Sequence, residues 1–219
     1  MKNERRIDIL IFGAGGHAKV ASDCARADYP QQILLSGDEK EDQWCGAPIV
    51  PQSKRPLLEW KAICPRAFVA IGDTVIRERV TLSLENAGFT LVTLVHPSAT
   101  VSPSVRLGPG VLVGPGAVIN ADAQIERGCI VNTDAIVEHD CRIGAFSHIA
   151  PRAVLGGGVV LGSCCQVCLG AIISDHKTVG GHTTIGAGAV VLSSVPNYVL
   201  VAGVPAEIRK HYPVAVELD

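Results

Sequence analysis

Aromatic rings make up only 4% of the 219 residues, charge is almost balanced, and no uninterrupted apolar run is long enough to span a bilayer. Each shortage excludes something. A net charge of −2, from 19 Lys plus Arg against 21 Asp plus Glu, lacks the basic excess that neutralises a phosphate backbone, so nucleic acid is not an expected partner. A membrane helix needs roughly 18 to 20 consecutive apolar residues. None is present, and the first residues pass directly from charges into a short strand-like run, so the chain reads as cytoplasmic. A hydrophobic content of 47% is ample for a core and argues against disorder. Few rings, 23 glycines and recurrent Val and Ile favour many short stacked strands over a helical bundle. The eight cysteines are even in number, but a chain with this much core needs no disulfide frame, so reduced thiols are expected.

A six-residue period then dominates the second half. Stepping by six from Val101 to Val191 meets sixteen positions, and every one is Val, Ile or Leu. With about a 30% chance of an aliphatic residue at each step, such a run arises roughly once in a hundred million tries. Four residues after the aliphatic position stands a small one, as at Ala117, Ala123, Cys129, Ala135, Cys141, Ser147, Ala153 and Cys165. Glycine often follows the aliphatic position directly, at Gly108, Gly114, Gly144, Gly156, Gly162, Gly180 and Gly186, and supplies either the positive φ or the close approach that a turn requires. Helices repeat near 3.6 and simple strands alternate, so neither fits. The solution is a solenoid: one short strand and one turn per hexapeptide, three hexapeptides per triangular coil, about five coils in all.

Residues 1–95 lack the period and read as a small α/β unit. A buried strand at residues 6–12 runs into the glycine turn Gly13-Ala14-Gly15-Gly16-His17-Ala18 and a helix over 19–27. Backbone N–H groups at such a turn suit a phosphate or pyrophosphate, although a GxGxxA turn also serves simply to join strand to helix. A second strand at 67–71 leads through Gly72-Asp73-Thr74 into a helix over about 75–86, residues 89–95 close the unit, and His96-Pro97 marks the hand-over to the solenoid, which fills 96–219. After the last hexapeptide, Val201-Ala202-Gly203-Val204-Pro205-Ala206 and then Arg209 and Lys210 form a cap or a ligand contact.

Among seven histidines, His139 stands out. It falls two residues past an inward aliphatic position, so it projects from a turn, and Glu138 and Asp140 flank it with carboxylates able to fix its tautomer and stabilise its charged form. The GAGGHA turn, the stretch Ile71-Gly72-Asp73 with Arg77, the HPSA junction, the run from Asn132-Thr133 to Glu138-His139-Asp140-Cys141, Phe146-Ser147-His148 and the GxPA tail together resemble one subfamily nearly end to end. It is the bacterial nucleotide-sugar N-acetyltransferases of the hexapeptide-repeat acyltransferase superfamily, with the related sialic acid O-acetyltransferases.

That resemblance implies a Rossmann-like N-terminal unit followed by a left-handed parallel β-helix, acetyl-CoA as co-substrate, no metal, and a homotrimer with active sites at subunit interfaces. It implies His139 as general base, Asp140 as its acidic partner and Asn132 as an orienting group. His148 would lie near the thioester, the Gly157 N–H near its carbonyl, Gly186, Ala187 and Gly188 along the pantetheine arm, and Arg209 and Lys210 near the coenzyme phosphates. Gly13, Gly15, Gly16, His17, Asp38, Asp73 and Arg77 would meet the nucleotide-linked 4-amino-4,6-dideoxysugar. Two departures stand against the subfamily pattern. Relatives using UDP-sugars carry consecutive aspartates where this chain has Ser36-Gly37-Asp38, which leaves the nucleotide open, and Ser174-Asp175-His176-Lys177 replaces a proline-glycine turn as a surface variation. Sialic acid O-acetylation, a β-helix metal enzyme and a non-catalytic scaffold are the alternatives. Cys165-x-x-Cys168 has no second pair to complete a zinc site.

Overall fold

A computed structural model describes residues 6–37 and 42–213. It divides into two units, Met1–Pro97 and Ser98–Asp219.

In the first unit, β1 (Ile9–Phe12), fully apolar and buried along its length, lies in the middle of a sheet whose order is β3-β4-β2-β1-β5-β6. The flanking strands are β2 (Gln32–Ser36), β3 (Asp42–Trp44), β4 (Ala47–Pro51), β5 (Arg66–Val69) and β6 (Thr90–Leu91), all parallel except the β3–β4 hairpin. Helix α1 (Gly16–Ala25) joins β1 to β2, α2 (Leu57–Ile63) precedes β5, and α3 (Thr74–Asn86) follows it. The chain leaves β1 toward β2 on one side and later returns as β5 on the other, so the loops after β1 and β5 meet at a topological switch point. Gly13 has φ +127, and a Cβ there would stand 2.6 Å from the Ala70 carbonyl oxygen, so only glycine lets the two loops pass. Helix α1 starts earlier than the expected residue 19, because Gly15 serves as its N-cap and Gly16 and His17 form its first turn.

In the second unit the hexapeptides wind as a left-handed parallel β-helix. Strands of two residues fall on three faces in turn. The first face stacks Leu112–Val113, Ile130–Val131, His148–Ile149, Gln166–Val167 and Thr184–Ile185. The second runs from Thr100–Val101 through Ile136–Val137 to Val190–Val191, and the third from Arg106–Leu107 through Arg142–Ile143 to Thr178–Val179. Partners in the parallel ladders are 18 residues apart, one coil, as in Val118 with Ile136 and Ile136 with Val154. From Val113 to Val191 every inward aliphatic position is at most 2% exposed, and at about 25 cal/mol per Å2 this column is the main stabilising term. The antiparallel pair Val199–Ala202 and Glu207–His211 covers the last strand of the first face.

The structure separates two roles for turn glycines. Positive φ lies three residues after the inward aliphatic, at Gly110, Gly116, Asp122, Gly128, Asp134, Asp140 and onward in steps of six. The glycines directly after the aliphatic position have ordinary φ and exist for close approach: a Cβ on Gly144 would lie 2.6 Å from backbone atoms of Gly162 and Ser163 in the next coil. The small inward residues also act as donors. Cys129, Cys141 and Cys165 give their S–H to the carbonyls of Gly144, Gly156 and Gly180 at 3.1 to 3.2 Å, and the Ser147 hydroxyl does the same to Gly162 at 2.8 Å. Burial pushes the Cys141 and Cys165 thiols up to about 11, so they remain protonated.

Replacing Gly144 by Ala should therefore cost about 1 to 3 kcal/mol, because backbone two coils wide must shift. Gly170→Ala, where a Cβ meets nothing within 4 Å but φ is +65, should cost only about 1 kcal/mol. Urea unfolding of both variants beside the unaltered chain checks the ranking, and equal midpoints would remove the close-approach argument.

Candidate functional site

The corner between the second and third faces repeats every 18 residues as Ala121-Asp122, His139-Asp140, Gly157-Gly158 and Asp175-His176. Backbone bonds hold these turns in a column: Asp140 N–H donates to the Ala121 carbonyl at 3.0 Å, Gly158 to His139 at 2.8 Å, and His176 to Gly157 at 2.8 Å. The positive φ falls on Asp140 (+60), which places His139 at the exposed tip of its turn.

His139 Nδ1 lies 2.8 Å from Asp140 Oδ2. A carboxylate accepts only, so Nδ1 carries the proton and Nε2 presents its lone pair outward, the form a general base needs. That hydrogen bond raises the imidazole above its ordinary range, with weaker support from the charges of Asp140, Glu138 and Asp175. Both side chains are more than half exposed, so water screens the charge and the bond acts chiefly by orienting the ring. Glu138 is directed elsewhere: its Oε2 accepts from Asn120 Nδ2 at 2.9 Å.

Gly157 lies directly beneath the ring, since a Cβ there would fall 2.7 Å from His139 Nε2. Its N–H is not open as expected. Asp175 Oδ1 accepts it at 3.1 Å, so this backbone donor beneath His139 is already covered by a carboxylate from the next coil. Asp175 thus belongs to this corner rather than to a mere surface variation.

His148 and Asn132 form a second group, on the first face. Asn132 Oδ1 accepts from Thr133 N–H at 2.8 Å, which fixes the amide so that Nδ2 donates to His148 Nε2 at 3.0 Å. The proton of the neutral ring is then on Nδ1, beside the Gln166 side-chain amide at 3.2 Å, which must turn its oxygen to accept it. Gln166 is absent from the residues chosen by sequence, although its place 18 residues after His148 marked it as a neighbour. Within one chain His139 and the Asn132–His148–Gln166 group do not meet, because they stand on opposite sides of the triangular coil.

At the end of the solenoid, Gly188 (φ +67) and exposed Ala187 border open space, whereas a Cβ on Gly186 would press against Ala202 at 3.0 Å. Arg209 is exposed and pairs with Glu207 at 3.3 Å, and Lys210 Nζ lies 5.4 Å from the Tyr212 ring centre.

In the first unit, Gly15 and Gly16 have nothing within 4 Å of a built Cβ and open the N-terminus of α1. His17, in that first turn, is pushed down to about 4 by burial and by the Arg77 cation, so it is neutral at neutral pH. Asp73 and Arg77, expected at the nucleotide sugar by resemblance, have structural partners within the unit. Asp73 caps α3, accepting from Ile76 N–H at 2.8 Å. Arg77 is 1% exposed, and its Nη1 donates to the carbonyls of Ile71 and Gly72 at 2.8 and 2.9 Å. The buried guanidinium ties the loop after β5 to α3, so within the chain IGD-x-x-x-R fixes the start of that helix. Asp38 lies outside the described residues. No group of three or more potential metal-binding side chains occurs among the described residues.

Residues 8–84 match the PglD N-terminal domain family and residues 90–186 the GMPPB C-terminal domain family. A variant of perosamine N-acetyltransferase from Caulobacter crescentus, in complex with CoA and GDP-perosamine, is 40% identical over 93% of this chain and 97% of its own, with a TM-score of 0.88. The acetyltransferase domain of PglB from Neisseria gonorrhoeae is 38% identical over 92% of this chain and 98% of its own, with a TM-score of 0.86. WeeI from Acinetobacter baumannii is 25% identical over 92% and 99%, with a TM-score of 0.83.

The Asp140 hydrogen bond predicts that the His139 imidazole titrates above an ordinary histidine and that Asp140→Asn lowers its midpoint. Carbon-detected NMR titration of the histidine rings measures both. A midpoint unmoved by the substitution would show that Asp140 does not set the charge state of His139.

Proposed function

The chain belongs to the nucleotide-sugar N-acetyltransferases of the hexapeptide-repeat superfamily, and from that premise we propose that it moves acetyl from acetyl-CoA to the amino group of a nucleotide-linked 4-amino-4,6-dideoxysugar bound for a surface glycan. The observation that carries the reading is the His139–Asp140 pair, which leaves an oriented, exposed Nε2 in a turn backed by glycine. A GDP-linked sugar is the first candidate, because the Caulobacter relative binds GDP-perosamine.

In the proposed chemistry His139 Nε2 takes a proton from the acceptor amine, whose lone pair forms the new C–N bond at the thioester carbon. The imidazolium is steadied by Asp140. Collapse of the tetrahedral carbon breaks the C–S bond, and the departing sulfur leaves as the CoA thiol with a proton returned by the ring. Holding amine, thioester and base together makes the reaction effectively intramolecular, so no covalent acyl-enzyme is required. Gly15, Gly16 and neutral His17 at the start of α1 are assigned to the nucleotide phosphates. The open turn at Ala187-Gly188 and the exposed Arg209 and Lys210 are assigned to the coenzyme, Arg209 exchanging Glu207 for a phosphate.

We further assign a homotrimer with its sites between subunits. The outward positions of the second face are Val118, Ile136, Val154, Ile172 and Val190, a stripe that a lone solenoid leaves in water, with Ile172 43% exposed. Association through such a stripe also offers a way to bring His139 of one copy to the His148 group of another. The reaction is placed in the cytoplasm, where acetyl-CoA is available.

Thiol release from acetyl-CoA against GDP-, UDP- and dTDP-linked 4-amino-4,6-dideoxysugars and free sialic acid tests the reading. Turnover of one amino-sugar nucleotide is expected, with about a 100-fold or greater loss in His139→Ala. Turnover of sialic acid alone would make the protein an O-acetyltransferase. For the assembly, Val154→Asp combined with Ile172→Asp should reduce the sedimenting species from trimer to monomer and abolish turnover while leaving the fold, followed by circular dichroism, intact.

A further inference from the structure

Three carboxylates gather at the His139 corner, and they are not equivalent. Asp140 is committed to the ring itself at 2.8 Å, and Glu138 to the Asn120 amide at 2.9 Å. Asp175 is exposed and holds a neutral backbone donor, the Gly157 N–H, at 3.1 Å. That bond is the longest of the three, and its exposed carboxylate can exchange a neutral donor for a cation, with which it pairs more strongly.

The place it occupies matters more than its strength. An oxygen bearing negative charge, about 3 Å from a backbone N–H beside the general base, is what an oxyanion site looks like when filled. The Asp175 oxygen therefore stands where a thioester oxygen would have to go. Both cannot be there, and a carboxylate left close by would repel the charge that develops on that oxygen. For the donor to serve acyl transfer, Asp175 has to rotate away, and its exposed side chain is able to do so. Rotation is favoured by a positive charge arriving at the same corner, and an aliphatic amine is an ammonium at neutral pH, whereas a hydroxyl brings none.

Resting on the N-acetyltransferase reading above, we propose that Asp175 selects for an amine acceptor: it keeps the Gly157 N–H closed until the acceptor's ammonium group draws its carboxylate off, which opens the donor to the thioester. Acceptor and thioester binding are then coupled, each favouring the other through one side chain. An ammonium acceptor brings one proton more than the neutral amine, and it must be released to solvent before attack. One ammonium proton leaves through His139 to solvent, and a second is lost from the tetrahedral nitrogen and ends on the departing thiol.

The test uses the full chain and isothermal titration with acetyl-CoA and with CoA, which lacks the acetyl oxygen. In Asp175→Ala the donor is open from the start, so acetyl-CoA should bind at least about 5-fold more tightly than to the unaltered chain while CoA binds equally to both. Asp175→Asn still covers the N–H but carries no charge to answer an ammonium. It should keep the unaltered affinity for acetyl-CoA and show a KM for the amino-sugar acceptor raised about 10-fold. An unchanged or weaker acetyl-CoA affinity in Asp175→Ala overturns the proposal, as does a CoA affinity that moves in step with it, which marks a structural effect. Should Asp175→Ala not fold, an unchanged acceptor KM in Asp175→Asn overturns it alone. If the unaltered chain binds neither acetyl-CoA nor CoA, the acetyltransferase reading itself fails and the gate falls with it.

Discussion

Backbone pairing between residues 18 apart is the constraint on which the solenoid depends. Each two-residue strand has too few hydrogen bonds to persist alone, and it is held only because a copy of the same turn and strand lies above and below it. Everything else in the period answers to that stacking. The inward aliphatic fills the column, the small residue four places on leaves room at the next corner and often donates to a glycine carbonyl, and the residue three places on accepts positive φ. Asp fills that last place at Asp122, Asp134 and Asp140, since a short polar side chain tolerates the left-handed region better than most.

A scaffold that repeats this strictly converts each departure into a local chemical environment. Along the corner column, His139 can lie flat against the coil because the following turn is Gly157-Gly158, and any side chain at 157 would lift the ring away. Asp140 satisfies the backbone rule and fixes the imidazole with the same side chain, so turn geometry and tautomer are set by one residue. Further along, Asp175 reaches back one coil to Gly157. The chemistry of the corner is thus spread over three hexapeptides that are remote in sequence and adjacent only through the 18-residue stack.

This explains what was legible beforehand. The period, the inward column, the two units and the exposed His139 follow from spacing alone, because period six permits few physical solutions, whereas the choice of Asp140 over Glu138 as its partner rested on resemblance. The role of the glycine after each aliphatic residue was half legible: spacing located it, while only the neighbouring coil shows that contact and not φ requires it. Asp73 and Arg77 were placed at the nucleotide sugar by resemblance alone, and nothing in the sequence tells that the Asp73 carboxylate caps α3 or that the Arg77 guanidinium is buried on the carbonyls of the preceding loop. Asp175 and Gln166 were missed for the opposite reason. Each gains its partner by stacking one coil onto another, a relation that appears only when the chain is written in rows of 18.

The triangular coil also limits how catalysis can be organised. The corner that joins the second and third faces is opposite the first face, so His139 and His148 point away from one another in any single chain. Rearrangement within the solenoid offers no remedy, since ladder bonds on both sides pin each strand and turn, and displacing one coil breaks those of its neighbours. A reaction that uses both groups on one substrate must therefore bring together two copies of the chain. In the proposed trimer the apolar outward positions of the second face would draw copies together, and the same side chains would fix the distance between His139 of one copy and the His148 group of another. On that proposal assembly and catalysis would share one physical cause.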